Sequence, residues 1–169
     1  VTPSVAVPKD FLMNKNLLGE MASQSDERAF DTYLYLLSQY NGNPELTLTL
    51  NYDKLAVSLG INAMSKEDYR RQINKVLEKL EVKYNLLKFK NPPRNQDVTL
   101  TLAKNKNPES FNLPTTYWKY DWNKTLVLPA KTMYLINLFY TEHTPSWFMS
   151  RETLSKTFSI SESFISDGT

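Results

Sequence analysis

The chain has 169 residues, of which 41% are hydrophobic and 22% are charged, and its net charge is +2. This composition is typical of a globular protein and excludes a wholly disordered chain. Cysteine is absent, which excludes disulfides and thiolate metal sites. No apolar stretch approaches the roughly 20 residues of a membrane span, and no signal peptide is visible, so we expect a cytoplasmic protein without membrane contacts.

Residues 1–25 are predicted to form an N-terminal arm. Pro3 and Pro8 favour an extended backbone at its start. The apolar runs at 11–13 and 17–18 then dock either on the core of the protein or on a partner.

Residues 26–104 are predicted to form the first domain, which begins with a helix over 26–40. The alternating segment 45–50 predicts a half-buried strand. A short helix follows and ends at Gly60, a residue suited to the left-handed backbone of a helix terminus. Residues 65–81 carry apolar side chains at helical spacing and form the clearest helix of the chain.

Two further strands are predicted at 82–90 and 97–104. The loop between them contains two consecutive prolines and joins the strands into a hairpin. Residues 105–116 are predicted to be a linker, and residues 117–169 to be a second domain. We expect Trp118 and Trp122 to pack between the two halves of the chain rather than to stack on a base.

The charges are unevenly distributed along the chain. Residues 65–106 contain eleven Lys and Arg against five Asp and Glu, a net charge of +6, whereas the remainder contains nine against thirteen, a net charge of −4. Such segregation indicates an anionic partner for the middle of the chain. The alternative is a solvated basic face on a structural helix and an ordinary hairpin with solubilising lysines.

The predicted order is helix, strand, helix, helix, strand, strand, with a basic third helix and a basic hairpin. This order resembles the winged helix-turn-helix family. Two sequence segments add to the resemblance: Leu55-Ala56 with Leu59-Gly60-Ile61 after the first strand, and Ile73 to Leu80 followed by Leu86-Leu87. The resemblance implies an α+β fold that places its third helix in the major groove of DNA. Residues 62–64 make the turn slightly longer than the tightest versions in the family.

The pattern recurs in the second half of the chain. Residues 52–61 align without gaps on residues 151–160, so that 128–169 is similar to a second, incomplete winged helix. Tandem winged helices resemble plasmid replication initiator proteins, and they also occur in partition and transcription proteins.

The resemblance implies sequence-specific binding of double-stranded DNA, with a role in DNA replication initiation. The alternatives are a transcription regulator and a protein-interaction module without DNA binding, and self-association is compatible with each of them. Arg, Asn and Gln side chains form paired hydrogen bonds with base edges, and Lys and Arg neutralise phosphates. We therefore expect base contacts from Arg70, Arg71, Gln72 and Asn74, and backbone contacts from Lys66, Lys75, Lys88, Lys90 and Arg94.

Signals of an enzyme are lacking. His143 is the only histidine, and the four glycines are too far apart for a phosphate-binding loop. No pair of carboxylates has a spacing that indicates acid–base catalysis. We expect neither catalysis nor a cofactor, a metal ion or a small-molecule substrate.

Overall fold

The computed structural model describes residues 3–40, 47–62, 65–90, 92, 96–104 and 107–169. Over these residues the fold is α+β, with helices and two small antiparallel sheets. No helix in this part of the chain has the length and apolar character needed to cross a membrane. The strands are β1 (Ser4–Pro8), β2 (Thr47–Leu50), β3 (Leu87–Phe89), β4 (Val98–Leu102) and β5 (Ser110–Pro114).

The helices vary from single turns to 17 residues. A π-helical turn (Lys15–Gly19) lies between the first two. In chain order the helices are α1 (Lys9–Met13), α2 (Glu20–Ser23), α3 (Glu27–Tyr40), α4 (Tyr52–Leu59), α5 (Lys66–Val82), α6 (Thr116–Lys119), α7 (Trp122–Thr125), α8 (Leu128–Thr141), α9 (Arg151–Phe158) and α10 (Glu162–Asp167).

The chain divides into two compact units. The central unit spans Arg28–Lys104, and the terminal unit combines Val1–Glu27 with Asn105–Thr169. The central unit nearly coincides with the predicted first domain, 26–104, whereas the predicted arm and the predicted linker fall in the same compact unit as the predicted second domain.

The central unit contains a three-stranded antiparallel sheet in the order β2-β4-β3. Leu50 of β2 pairs with Val98, and Leu87 of β3 pairs with Leu102. Val98, Leu100 and Leu102 alternate with exposed threonines and are almost completely buried. This alternation with a period of two fixes the register, because a slip of one residue would expose the apolar face.

Side-chain hydrogen bonds fix where α4 and α5 begin, and a left-handed glycine fixes where α4 ends. The Asn51 side chain accepts a hydrogen bond from the backbone N–H of Lys54, and Ser65 accepts one from that of Asp68. Gly60 ends α4 with φ 65° and ψ 33°, a left-handed conformation that glycine adopts without steric cost. Ile73, Leu77 and Leu80 form the buried stripe of α5, as the sequence predicts.

The terminal unit is held together by pairing between distant parts of the chain. Val5 of β1 lies opposite Leu113 of β5, and Val7 lies opposite Phe111. The predicted arm is therefore a strand followed by helices, and its apolar side chains are buried in the unit. These buried side chains include Phe11, Leu12, Leu17, Leu18 and Met21.

The aromatic side chains after β5 pack on α8 within the terminal unit. The rings of Tyr117 and Tyr134 are stacked with centroids 6.0 Å apart, and Trp122 meets Tyr134 edge-on at 5.5 Å. Trp118 meets Tyr117 at 5.1 Å. Trp122 therefore packs against α8, and Trp118 packs against its neighbour Tyr117.

Helix α9 repeats the local geometry of α4. Ser150, which lies 99 residues after Asn51, caps α9 by accepting a hydrogen bond from Thr153. Ser159, which lies 99 residues after Gly60, is also left-handed, with φ 56° and ψ 43°. The sequence repeat is therefore also a repeat of backbone conformation, including a helix cap and a left-handed terminus.

A substitution at the second left-handed position tests this repeat. Ser159→Gly removes the steric cost of a Cβ atom at positive φ, so we expect the free energy of unfolding to rise by about 0.5–1 kcal/mol. Urea denaturation measures the change.

Gly60→Ala is the matched control in the first copy. No atom lies within 4 Å of the added Cβ, so the only effect is backbone strain, and we expect a loss of about 1 kcal/mol. A loss of stability in Ser159→Gly would show that the contacts of the serine outweigh its strain.

Candidate nucleic-acid interface

The central unit presents cations on one side of α5 and on the neighbouring hairpin. Arg71 and Lys75 are exposed and four residues apart, so they lie on one face of the helix. Lys88 lies on β3 and is exposed because the adjacent Leu87 faces the core. Lys90, which follows the strand, is also exposed. We call this set the basic face; its members are Arg71, Lys75, Lys88 and Lys90. Lys66, at the start of α5, lies nine residues before Lys75 and therefore on the other side of the helix.

Lys66 lies beside an acidic residue of α4. Its ammonium nitrogen is 3.6 Å from a carboxylate oxygen of Asp53, and both side chains are more than half exposed. A hydrogen bond from the Tyr69 hydroxyl, with a smaller contribution from Lys66, lowers the pKa of Asp53. The contact leaves Lys66 accessible to an anion, because exposed ion pairs contribute little free energy.

Arg71 and Gln72 share one partner. A guanidinium nitrogen of Arg71 lies 2.5 Å from one carboxylate oxygen of Asp68, and the Gln72 amide donates to the other oxygen at 3.1 Å. The Arg71 side chain is 70% exposed. Asp68 therefore orients both side chains at the surface of α5 while leaving Arg71 open to solvent.

Arg70 and Asn74 are engaged inside the central unit. The guanidinium carbon of Arg70 lies 4.4 Å from the centre of the Tyr52 ring, and its terminal nitrogen donates to the Gln96 carbonyl at 3.0 Å. The Tyr52 hydroxyl donates to the Asn74 side-chain oxygen at 2.6 Å. The sequence analysis predicts that Arg70 and Asn74 contact base edges. In the structure both side chains have partners within the protein, Tyr52 and Gln96.

The hairpin adds a groove beside β3 and β4. Lys88, Lys90, Thr99 and Thr101 line it, and Glu81 and Asp97 lie at the same groove. Lys88 stands opposite Thr101 in the ladder. The predicted contact residue Arg94 lies outside the described residues.

The row of cations on α5 extends further than the predicted site. Lys79 and Lys83 follow Arg71 and Lys75 at intervals of four residues, and both are exposed. The ammonium group of Lys83 lies 5.5 Å from the centre of the Tyr84 ring. Their four-residue spacing in the sequence is the signal that places them on the same side of the helix as Arg71 and Lys75.

No group of three or more His, Asp or Glu side chains in the described part of the chain could hold a metal ion. Comparison with protein-family models, curated proteins and solved structures finds no match for this chain. No relative therefore bears on what the basic face binds.

The contact between Tyr69 and Asp53 predicts a pH effect. Tyr69→Phe removes the hydrogen bond that is the largest cause of the lowered pKa, so the pKa of Asp53 should rise towards its ordinary value. A nuclear magnetic resonance titration of the Asp53 carboxyl carbon measures this change, with the exposed Tyr120→Phe as the control.

The same substitution should alter stability in acid. A folded-state pKa below the unfolded value stabilises the fold above the unfolded-state pKa, and this stabilisation is lost as the pH falls through the lowered pKa. Tyr69→Phe should therefore reduce the loss of stability on acidification, and an unchanged carboxyl titration would contradict the contact.

Proposed function

We propose that the central unit is a winged helix-turn-helix that binds double-stranded DNA. In this proposal α5 enters the major groove, and the β3–β4 hairpin is the wing that follows the sugar-phosphate backbone. The observation that carries it is the basic face, because its cations lie on the two elements that such a fold would present to DNA.

The connectivity of the unit supports the proposal. The order is α3, β2, α4, α5, β3 and β4, and β2 pairs with the returning strand β4. The left-handed residue Gly60 ends α4 and lets the chain turn into α5. Helix α5 has 17 residues, which is about 26 Å at 1.5 Å per residue and enough to cross a major groove about 12 Å wide.

Charge further supports a nucleic acid as the partner. Residues 28–104 contain twelve Lys and Arg against eight Asp and Glu, a net charge of +4, whereas the remaining residues have a net charge of −2. A protein that neutralises phosphates releases counterions, so its affinity falls as salt rises.

The roles within the site follow from exposure. Arg71 is exposed and Gln72 lies half-buried beside it, and we assign both to base edges. Lys66, Lys75, Lys88 and Lys90 are assigned to phosphates. Arg94 stays a phosphate contact predicted from the sequence.

Replication initiation is the biological role that we propose, ahead of transcription regulation. The repeat of α4 in α9, each followed by a further helix, supports a protein with two such elements, as in the plasmid replication initiators that the sequence resembles. Residues 150–169 carry two basic and three acidic side chains, so the central unit supplies most of the affinity for DNA.

A protein-interaction module is the second candidate, and one observation in the terminal unit favours it. The Phe148 side chain is 94% exposed, and it borders a cleft lined by apolar side chains of α8, α9 and α10. Exposed apolar patches of this kind mark binding surfaces for other proteins.

The DNA proposal predicts a salt-dependent affinity that specific lysines control. Fluorescence anisotropy of a labelled random duplex, measured from 50 to 300 mM salt (about the range in which such affinities fall steeply), gives the slope of log K against log salt. Lys75→Ala and Lys88→Ala should each weaken binding and reduce that slope by about one.

Lys15→Ala is the matched control, since this exposed lysine lies in the terminal unit outside the repeated helices. It should leave the slope unchanged. Absence of binding at the lowest salt would contradict a DNA role for this chain and would favour the interaction module.

A further inference from the structure

Arg70 is the cation of α5 that is most enclosed by its own fold. Its guanidinium group stacks on the Tyr52 ring at 4.4 Å and donates to the Gln96 carbonyl at 3.0 Å. Its Nε atom is buried and has no hydrogen-bond partner among the described residues. Arg70 therefore contacts the start of α4 and the segment just before β4.

Tyr52 is itself held in a fixed orientation. The residue is 1% exposed, and its hydroxyl donates to Asn74, four residues after Arg70 on the same face of α5. Two residues of α5 therefore contact Tyr52: Arg70 stacks on the face of the ring, and Asn74 accepts the hydrogen bond from its hydroxyl. A planar guanidinium suits this place, because it stacks on an aromatic face and donates in a fixed direction at the same time.

We propose that Arg70 is a positioning residue that fixes the base of the hairpin against α4 and α5, and that it does not contact DNA. The bond to Gln96 joins α5 to the chain just before β4, so it sets where the hairpin cations stand relative to Arg71 and Lys75. Its effect on affinity rests on the proposed function, whereas the contact itself does not.

Arg71 provides the natural comparison. It is the next residue on α5 and carries the same group, but its side chain is 70% exposed. An equal loss of charge at the two positions should therefore have different consequences: Arg70 supports the hairpin, and Arg71 faces the ligand.

Amide hydrogen exchange of the whole protein tests the contact without DNA. Arg70→Met keeps the apolar stem but removes the stacking and the bond to Gln96. It should speed exchange in Val98–Leu102 by about tenfold relative to the native protein. Arg70→Lys should not restore protection, because an ammonium group neither stacks as a plane nor reaches in the same direction.

Arg71→Met is the control and should leave exchange in β4 within about twofold of the native rate. Exchange in α8 of the terminal unit should not change in either variant, which distinguishes a local opening from global destabilisation. Native protection of β4 in Arg70→Met would overturn the positioning role.

Duplex binding then separates positioning from direct contact. Arg70→Met should weaken binding about threefold to tenfold with an unchanged salt slope, whereas Arg71→Met should lower the slope by about one. A slope lowered by about one in Arg70→Met, and restored by Arg70→Lys, would show a phosphate contact and overturn the proposal. Faster hairpin exchange in a protein that binds no duplex would support the positioning contact and contradict the DNA-binding function alone.

Discussion

The pairing of β4 with both of its neighbours is the interaction on which the central unit depends. Its strand partners are β2, which leads into α4, and β3, which follows α5. Because Val98, Leu100 and Leu102 are buried in this ladder, the sheet joins the hairpin to the helical pair through apolar contacts as well as hydrogen bonds. Weakening β4 would therefore change where the hairpin cations lie relative to the cations of α5.

Side chains add a second connection between these elements. Arg70 joins α5 to Gln96, and Asn74 holds the hydroxyl of Tyr52. Polar groups on α5 therefore serve two purposes. Arg70 and Asn74 have partners within the unit and determine geometry. Arg71 and Lys75 are exposed and remain available to an anion. An isolated basic helix would also have cations available to an anion, but it would lack the side-chain contacts that fix its position against α4 and the hairpin.

Much of the central unit could be predicted from the sequence because its signals are local. The alternation in β2 and β4, the stripe of α5, and Gly60 at the end of α4 each occupy only a few consecutive residues. The repeat was also visible, since the left-handed residue and the cap of α9 occur at the same offset as those of α4.

The sequence analysis did not predict the strands β1 and β5 of the terminal unit, because their pairing is not local. Ser4 pairs with Pro114 across more than 100 residues, and no local pattern specifies such a partner. The alternation of Val5 and Val7, and of Phe111 and Leu113, was the available signal. Pro8 and Pro114 each lie at a strand end of the two-stranded sheet, where a missing N–H is tolerated.

The inward engagement of Arg70 and Asn74 could not be read from α5 alone. Helical spacing shows that both residues lie off the apolar stripe, but it does not show which neighbouring side chain they meet. The partner Tyr52 begins a different helix, and Gln96 lies beyond the hairpin loop. Only the tertiary arrangement separates a guanidinium that supports the fold from one that is open to a ligand.

The most direct test of the central claim is a nuclear magnetic resonance titration of the isotope-labelled protein with a short DNA duplex. Binding through the basic face predicts amide shifts concentrated in the first half of α5 and around Lys88 and Lys90, with α8 unaffected. Shifts confined to the cleft beside Phe148, or no shifts at low salt, would contradict the account.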